Sequence, residues 1–207
     1  IENTHNRCYG FPLQLDYIKS VCDIAHENNI KVHMDGARLF NACVALNLSA
    51  AKVLKNVDSV SFCLSKGLAS PIGSIICGDN DFILNARRIR KSLGGGMRQT
   101  GIIASAGMVS LNKMISRLET DHKHAKYIAN AICNIKGIEL NPDLVPTNIV
   151  YFNFNHNHLS TKQLINHMKS KGIIFSNYET NKCRMVTHHG VLKEGIDYLI
   201  SEFDSFL

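Results

Sequence analysis

Apolar positions recur along the chain with a helical period and with a strand period in alternation. In Pro12–Asn28 the residues Leu15, Ile18, Cys22 and Ala25 fall three and four apart, which predicts a helix, and Pro12 suits its first turn. Asn28-Asn29 ends it, and Ile30–Met34 reads as a short strand. Asp35-Gly36-Ala37-Arg38 follows at the strand's C-terminal edge and leads into a helix over Ala37–Leu46. Ser49 caps another helix through Asn56, and Ser59–Leu64 is a second apolar strand. Alternation of this kind predicts an α/β fold with a parallel, doubly wound sheet.

Ser65–Pro71 is then a loop, Gly73–Cys77 a strand, and Asp79 the cap of a basic helix through Lys91. Gly94-Gly95-Gly96 breaks the chain. A long helix from Gln99 to Asn134 follows, apolar first and charged later, with the length of a connector between domains. Beyond Gly137 the pattern becomes strand (Ile149–Phe154), capped helix (Ser160–Lys171), two short strands (Ile173–Ser176 and Cys183–Thr187) and a last helix (Leu192–Phe206). The predicted organisation is thus an incomplete large α/β domain, residues 1–136, and a small C-terminal α+β domain, residues 137–207.

Composition narrows the function classes. With 45% hydrophobic residues among 207, the chain has enough apolar material for a core. Apolar runs such as Gly73–Cys77 and Ile102–Ala106 fall far short of the roughly 20 residues of a membrane span, so no membrane partner is expected. The chain opens with Ile1, so an upstream targeting segment would be out of view. Seven scattered cysteines form no Cys-x-x-Cys pair, which points to buried thiols in a reducing compartment, the cytosol. The net charge of +6 comes from dispersed bases, apart from Arg87-Arg88-Ile89-Arg90-Lys91 and Arg98. Without a groove-entering motif this is no nucleic-acid signature, and it fits small anionic ligands equally well. His188-His189 lacks a third ligand, so no metal site is assigned. Gly94–Gln99 lacks the third glycine and the preceding strand of a dinucleotide loop.

Asp35 and Lys66 both follow strand ends, where ligands of open α/β sheets bind. Pyridoxal-phosphate (PLP) chemistry needs such a pair: an amine to hold the aldehyde and a carboxylate beside the pyridine nitrogen. The amine must be neutral to attack, which burial or nearby cations favour. Alone, the pair is weak evidence, since strand-end aspartates cap helices and loop lysines are commonly solvated.

The surrounding words add to it. His33-Met34-Asp35-Gly36-Ala37-Arg38-Leu39-Phe40-Asn41-Ala42 resembles the segment of PLP-dependent threonine aldolases that carries the pyridine-binding aspartate. Ser59-Val60-Ser61-Phe62-Cys63-Leu64-Ser65-Lys66-Gly67-Leu68 is similar to that family's lysine segment. Gly94-Gly95-Gly96-Met97-Arg98-Gln99 and Glu2-Asn3-Thr4-His5-Asn6 resemble two further signatures, in the family's order. The resemblance implies an aspartate-aminotransferase-like fold, a homotetramer, and cleavage of L-threonine or L-allo-threonine to glycine and acetaldehyde.

It also implies roles. Lys66 would bind the cofactor and Asp35 its pyridine nitrogen; Arg38 would lie near the phenolic oxygen or the amino-acid substrate. Arg98 would reach the phosphate with Lys91 close by, and Arg184 would grip the substrate carboxylate through its planar fork. Exposed, solvated readings stay open for Arg38 and for Arg87, Arg88 and Arg90, and structural ones for His5 and His33. Ala69 departs from the family, which has glycine there, and would be strained if the position needs a positive φ. The family's phosphate loop and candidate base lie upstream of these words, so the N-terminal remainder of the protein is an expected partner. A β-eliminating PLP lyase and a non-catalytic fragment are the alternatives.

Overall fold

Leu15–Glu27 forms the first helix, α1, burying Ile18 and Cys22 from one face. Asn28 closes it and Asn29 turns the chain at φ +58°, a conformation asparagine tolerates. Strand β1 is only His33–Asp35, shorter than the apolar pattern predicts. The reason is local. The Ile30 amide is used at the helix end, donating to the Ala25 carbonyl at 2.8 Å, and the Val32 amide donates to the Asp58 carboxylate at 2.8 Å. Helix α2, Leu39–Leu46, ends at Asn47 in the left-handed region. Ser49 caps α3, Ala50–Val53, which stops short of Asn56.

Strand β2, Ser59–Cys63, pairs parallel with β1 in the register His33↔Ser59, Met34↔Val60, Asp35↔Ser61. Strand β3, Ser74–Cys77, runs antiparallel to β2. The sheet is therefore mixed rather than uniformly parallel. A parallel return needs a long crossover, normally a helix, and the Leu64–Gly73 connection holds none. Asp79 accepts the Phe82 amide and starts α4, Asn80–Ser92, which buries none of its residues. Helix α5, Gly101–Val109, runs into a π-helical stretch, Ser110–Met114, and a turn; α6, Leu118–Ile132, follows. The predicted long helix is thus interrupted by a π-helical stretch, with the backbone still in the right-handed helical region at Ser110, Ile115 and Arg117.

All residues, 1–207, are described by a computed structural model. They divide into two compact units: Ile1–His5 with Pro12–Ser116, and Asn6–Phe11 with Arg117–Leu207. The interruption after α5 coincides with this division, because α6 buries Ala125, Ile128, Ala129 and Ile132 in the core of the second unit.

That second unit is a four-stranded antiparallel sheet of β4 (Ile138–Glu139), β5 (Ile149–Phe154), β6 (Ser176–Asn177) and β7 (Lys182–Val186), in the order β4-β5-β7-β6. Helices α7 (Thr161–Ser170) and α8 (Lys193–Phe206) join α6 over one face. Ser160 and Gln163 form a reciprocal capping box at the start of α7. Val150, Phe152 and Phe154 of β5 and Cys183 and Met185 of β7 fill the core with them. By the period of two, Tyr151, Lys182 and Arg184 are left on the opposite face. The seven thiols are free: three are buried, Cys63 and Cys133 partly so, and Cys8 and Cys77 are exposed. No helix is long and apolar enough to cross a membrane.

Candidate active site

Because β1 and β2 are parallel, their C-terminal ends lie at one edge of the sheet. Asp35 is the last residue of β1 and Lys66 follows the end of β2. The Asp35 backbone is paired on both sides: its amide and carbonyl bond to Ile1 and Asn3, and the following Gly36 amide donates to the Ser61 carbonyl at 2.7 Å. Its carboxylate accepts the Ala37 amide at 2.9 Å, fixing the side chain at the turn. Gly36 is tightly enclosed here: a Cβ would come 3.1 Å from the Ser61 carbonyl and 3.0 Å from the Leu39 Cβ, so those neighbours would have to give by a few tenths of an ångström. Leu39 and Val60 beneath the turn are buried, giving the exposed carboxylate a rigid base.

Lys66 is exposed, so this part of the chain does not supply the burial that favours a neutral amine. Its loop is nevertheless ordered. The Lys66 carbonyl accepts the Ala69 amide at 2.9 Å, the Ser70 amide donates to Leu64 at 3.0 Å, and Leu68 is buried. The Ser70 hydroxyl meets the buried Ser110 hydroxyl at 2.7 Å, tying the loop to the π-helical stretch. Ala69 adopts φ +58°, so the condition for strain at this departure from the family is met.

Arg38 is half-buried at the start of α2, at φ −127° and ψ 36°. Lys91 and Arg98 are exposed on either side of Gly94–Gly96, and neither makes an ion pair. The Gly94 and Gly95 amides fold back onto the Lys91 and Arg90 carbonyls at 3.1 and 2.8 Å. Gly96 then passes so close to Lys91 that a Cβ would lie 2.8 Å from its Nζ. Arg87, Arg88 and Arg90 are solvated, as the plainer reading of that run has it.

Arg184 belongs to the second unit, whereas Asp35 and Lys66 belong to the first. Its guanidinium donates to Asn6 Oδ1 at 2.7 Å and lies 5.8 Å from the centre of the Tyr178 ring. Arg7 Nε donates to the Tyr178 hydroxyl at 2.7 Å and holds that ring in turn. Tyr151, opposite Arg184 in register, packs edge-on against Tyr9 and Tyr178 at 5.1 and 5.5 Å. Burial raises the Tyr151 hydroxyl above its ordinary pKa. The Tyr151 hydroxyl is buried beside Arg184 and Tyr178, and neither it nor the Arg184 Nε makes a well-aligned hydrogen bond. Arg7, Tyr151 and Tyr178 escaped sequence reasoning, and Asn6 was read only as part of the Glu2–Asn6 word without a role; for Tyr151 the available signal was its position on the strand face away from the core.

One sheet edge therefore presents a carboxylate that can face a protonated ring nitrogen and an amine that can attack an aldehyde. A separate platform presents a guanidinium suited to a carboxylate.

Comparison with known proteins agrees with this chemistry. The chain is 39% identical over 204 residues to low-specificity L-threonine aldolase 1 of Arabidopsis thaliana, covering 98% of this chain and 57% of that protein. It is 35% identical over 207 residues to the low specificity L-threonine aldolase of Escherichia coli O157:H7, covering 100% of this chain and 59% of that protein. The chain thus spans between half and two thirds of the length of these curated relatives. The crystal structure of a putative L-allo-threonine aldolase from Listeria monocytogenes superposes with a TM-score of 0.82 at 19% identity, over 100% of this chain and 60% of that one, a likeness of fold. Residues 1–155 match the model of the beta-eliminating lyase family, and the chain belongs to that family.

Proposed function

We propose that this chain is part of a PLP-dependent carbon–carbon lyase that cleaves L-threonine or L-allo-threonine to glycine and acetaldehyde. The observation that carries the reading is the placement of Asp35 and Lys66 at one edge of two parallel strands, within the words that resemble threonine aldolases. The residues fit the cofactor. Asp35 is fixed at its turn by the Ala37 amide, and Lys66 stands exposed on an ordered loop. When bound, PLP supplies an electron sink for the bond broken at the substrate α-carbon.

The chain's own residues do the rest. Lys66 would hold the cofactor through its aldehyde, and the negative charge of Asp35 would favour a protonated ring nitrogen. Arg184 fixes the substrate carboxylate, and that orientation selects which α-carbon bond is cleaved. Arg38 would serve the phenolic oxygen or the substrate, Arg98 would serve the phosphate, and Lys91 close by would serve the substrate. The first unit, with the α6 connector in residues 1–136, serves as part of the cofactor-binding large domain and residues 137–207 as the small domain. The N-terminal remainder and a homotetrameric assembly in the cytosol complete the enzyme in this reading.

Borohydride reduction of the intact, PLP-loaded protein is expected to leave the phosphopyridoxyl group on Lys66, and threonine is expected to release acetaldehyde. A label on a different lysine refutes the site. The family match favours one second reading, β-elimination from another amino acid, which releases a keto acid such as pyruvate in place of an aldehyde.

A further inference from the structure

The turn that carries Asp35 and Arg38 is gripped from the side by the first four residues. The Asp35 amide donates to the Ile1 carbonyl at 2.8 Å, and the Asn3 amide returns a bond to the Asp35 carbonyl at 3.0 Å. Glu2 thereby forms a parallel bridge with Asp35. The buried Asn3 anchors the segment further, its Oδ1 accepting the Leu13 amide at 2.9 Å.

At Thr4 the chain turns away from this pairing. Thr4 is 1% exposed and holds φ at +51°. A β-branched residue in the left-handed region is an outlier, and it persists only where its surroundings over-determine it. Its own side chain contributes to that. Oγ1 lies 2.6 Å from the Asn3 carbonyl and 3.1 Å from the Arg38 carbonyl, and its single proton serves both. The Arg38 carbonyl also receives the Asn41 and Ala42 amides at 2.9 and 3.3 Å. Thr4 is thus a donor from outside α2 that reaches the peptide on which the helix starts. Glycine would make the same turn at no steric cost. The hydroxyl is what threonine adds.

We infer that Thr4 is a positioning residue: its hydroxyl fixes the Arg38 peptide and so determines where the Arg38 guanidinium reaches. The inference rests on the reading of Arg38 as a group that faces the cofactor or substrate. Three variants separate hydroxyl from turn. Thr4→Val keeps the shape and loses the hydroxyl, Thr4→Ser keeps the hydroxyl, and Thr4→Gly keeps the turn without strain.

The readout is the dissociation constant of glycine, followed through the visible spectrum of the intact, PLP-loaded protein, beside KM and kcat for L-threonine. Thr4→Val and Thr4→Gly are expected to weaken glycine binding and raise KM at least fivefold, with a smaller change in kcat. Thr4→Ser is expected to stay within twofold of the parent. Thr4→Gly keeps the test open if Thr4→Val does not fold. Parent-like glycine binding in Thr4→Gly overturns the inference, and so does a Thr4→Ser variant as impaired as Thr4→Gly. Arg38→Lys distinguishes the two levels. If it leaves glycine binding and KM unchanged, the reading of Arg38 falls and the role of Thr4 with it. If it weakens them while Thr4→Gly does not, only the role of Thr4 falls.

Discussion

Asp35 is fixed by backbone pairing on both sides and by its own bond to Ala37, so an isosteric change there alters charge with little change of shape. Asp35→Asn is expected to retain PLP in the intact protein but to lose at least two orders of magnitude in turnover. That corresponds to about 2.7 kcal/mol or more in the barrier, at about 1.36 kcal/mol per tenfold. Steady-state kinetics beside cofactor absorbance measures both, and near-parent turnover would remove Asp35 from the ring nitrogen. Ala69 carries the opposite kind of signal. At φ +58° its Cβ is strained, and Ala69→Gly is expected to stabilise the protein by about 1 kcal/mol in denaturant unfolding. An unchanged or lower midpoint would mean that the unfolded-state entropy of glycine cancels the relief. Both residues were legible because each sits in a local word whose chemistry is explicit. The partners of Arg184 were not. Asn6 and Tyr178 meet it through the fold, and nothing near Asn6 in the chain announces a guanidinium from β7.

Among the elements, those with strong local punctuation were read well: α4 behind its Asp79 cap, β5 to the residue, and α7 behind its capping box. The π-helical stretch between α5 and α6 was not, because helix propensity runs through it unchanged. Its setting is tertiary. Gly107 packs under Leu64 and Ser110 bonds Ser70 in the first unit, whereas α6 is buried in the second core. β1 was misjudged for a similar reason, since Asp58 takes the Val32 amide. That contact has a pH signature. The Val32 amide, then His26 and Lys31, hold the Asp58 carboxyl well below its ordinary range. A depressed carboxylate contributes stability above its unfolded value of about 3.9, and the contribution is lost as pH falls through the folded value. Asp58→Ala is therefore expected to cost about 1.5–3 kcal/mol near neutral pH, the net worth of bonds to a charged group. Below about pH 4 the difference between variant and parent should begin to shrink, and it should vanish only as pH falls through the folded value. A difference that stays constant from pH 7 to pH 3 would assign the loss to packing instead.

For the whole molecule, the two units differ in how much of their apolar surface they cover. The second closes a core of three helices over four strands. In the first, no residue of α4 is fully buried, and a cavity of about 840 Å³ opens between its inner face and β3, lined by Ile75, Ile76, Phe82, Ile83, Ile89 and Leu93. Leu84, Ile89, Leu93, Met97, Ile102 and Met108 are each more than half exposed. Exposed apolar surface on this scale marks an association site, and solvated arginines of the same helix do not cover it. Residues 1–207 prepared alone are therefore expected to self-associate at micromolar concentration and to bind PLP weakly even with Lys66 intact. Static light scattering with an absorbance titration of PLP tests both at once. Replacing Leu84 and Ile89 with glutamate should reduce the association without altering the second unit, whose core those residues do not join. A monodisperse monomer of residues 1–207 with PLP tightly bound would show that this surface needs no partner, and would defeat the reading of the chain as part of a larger enzyme.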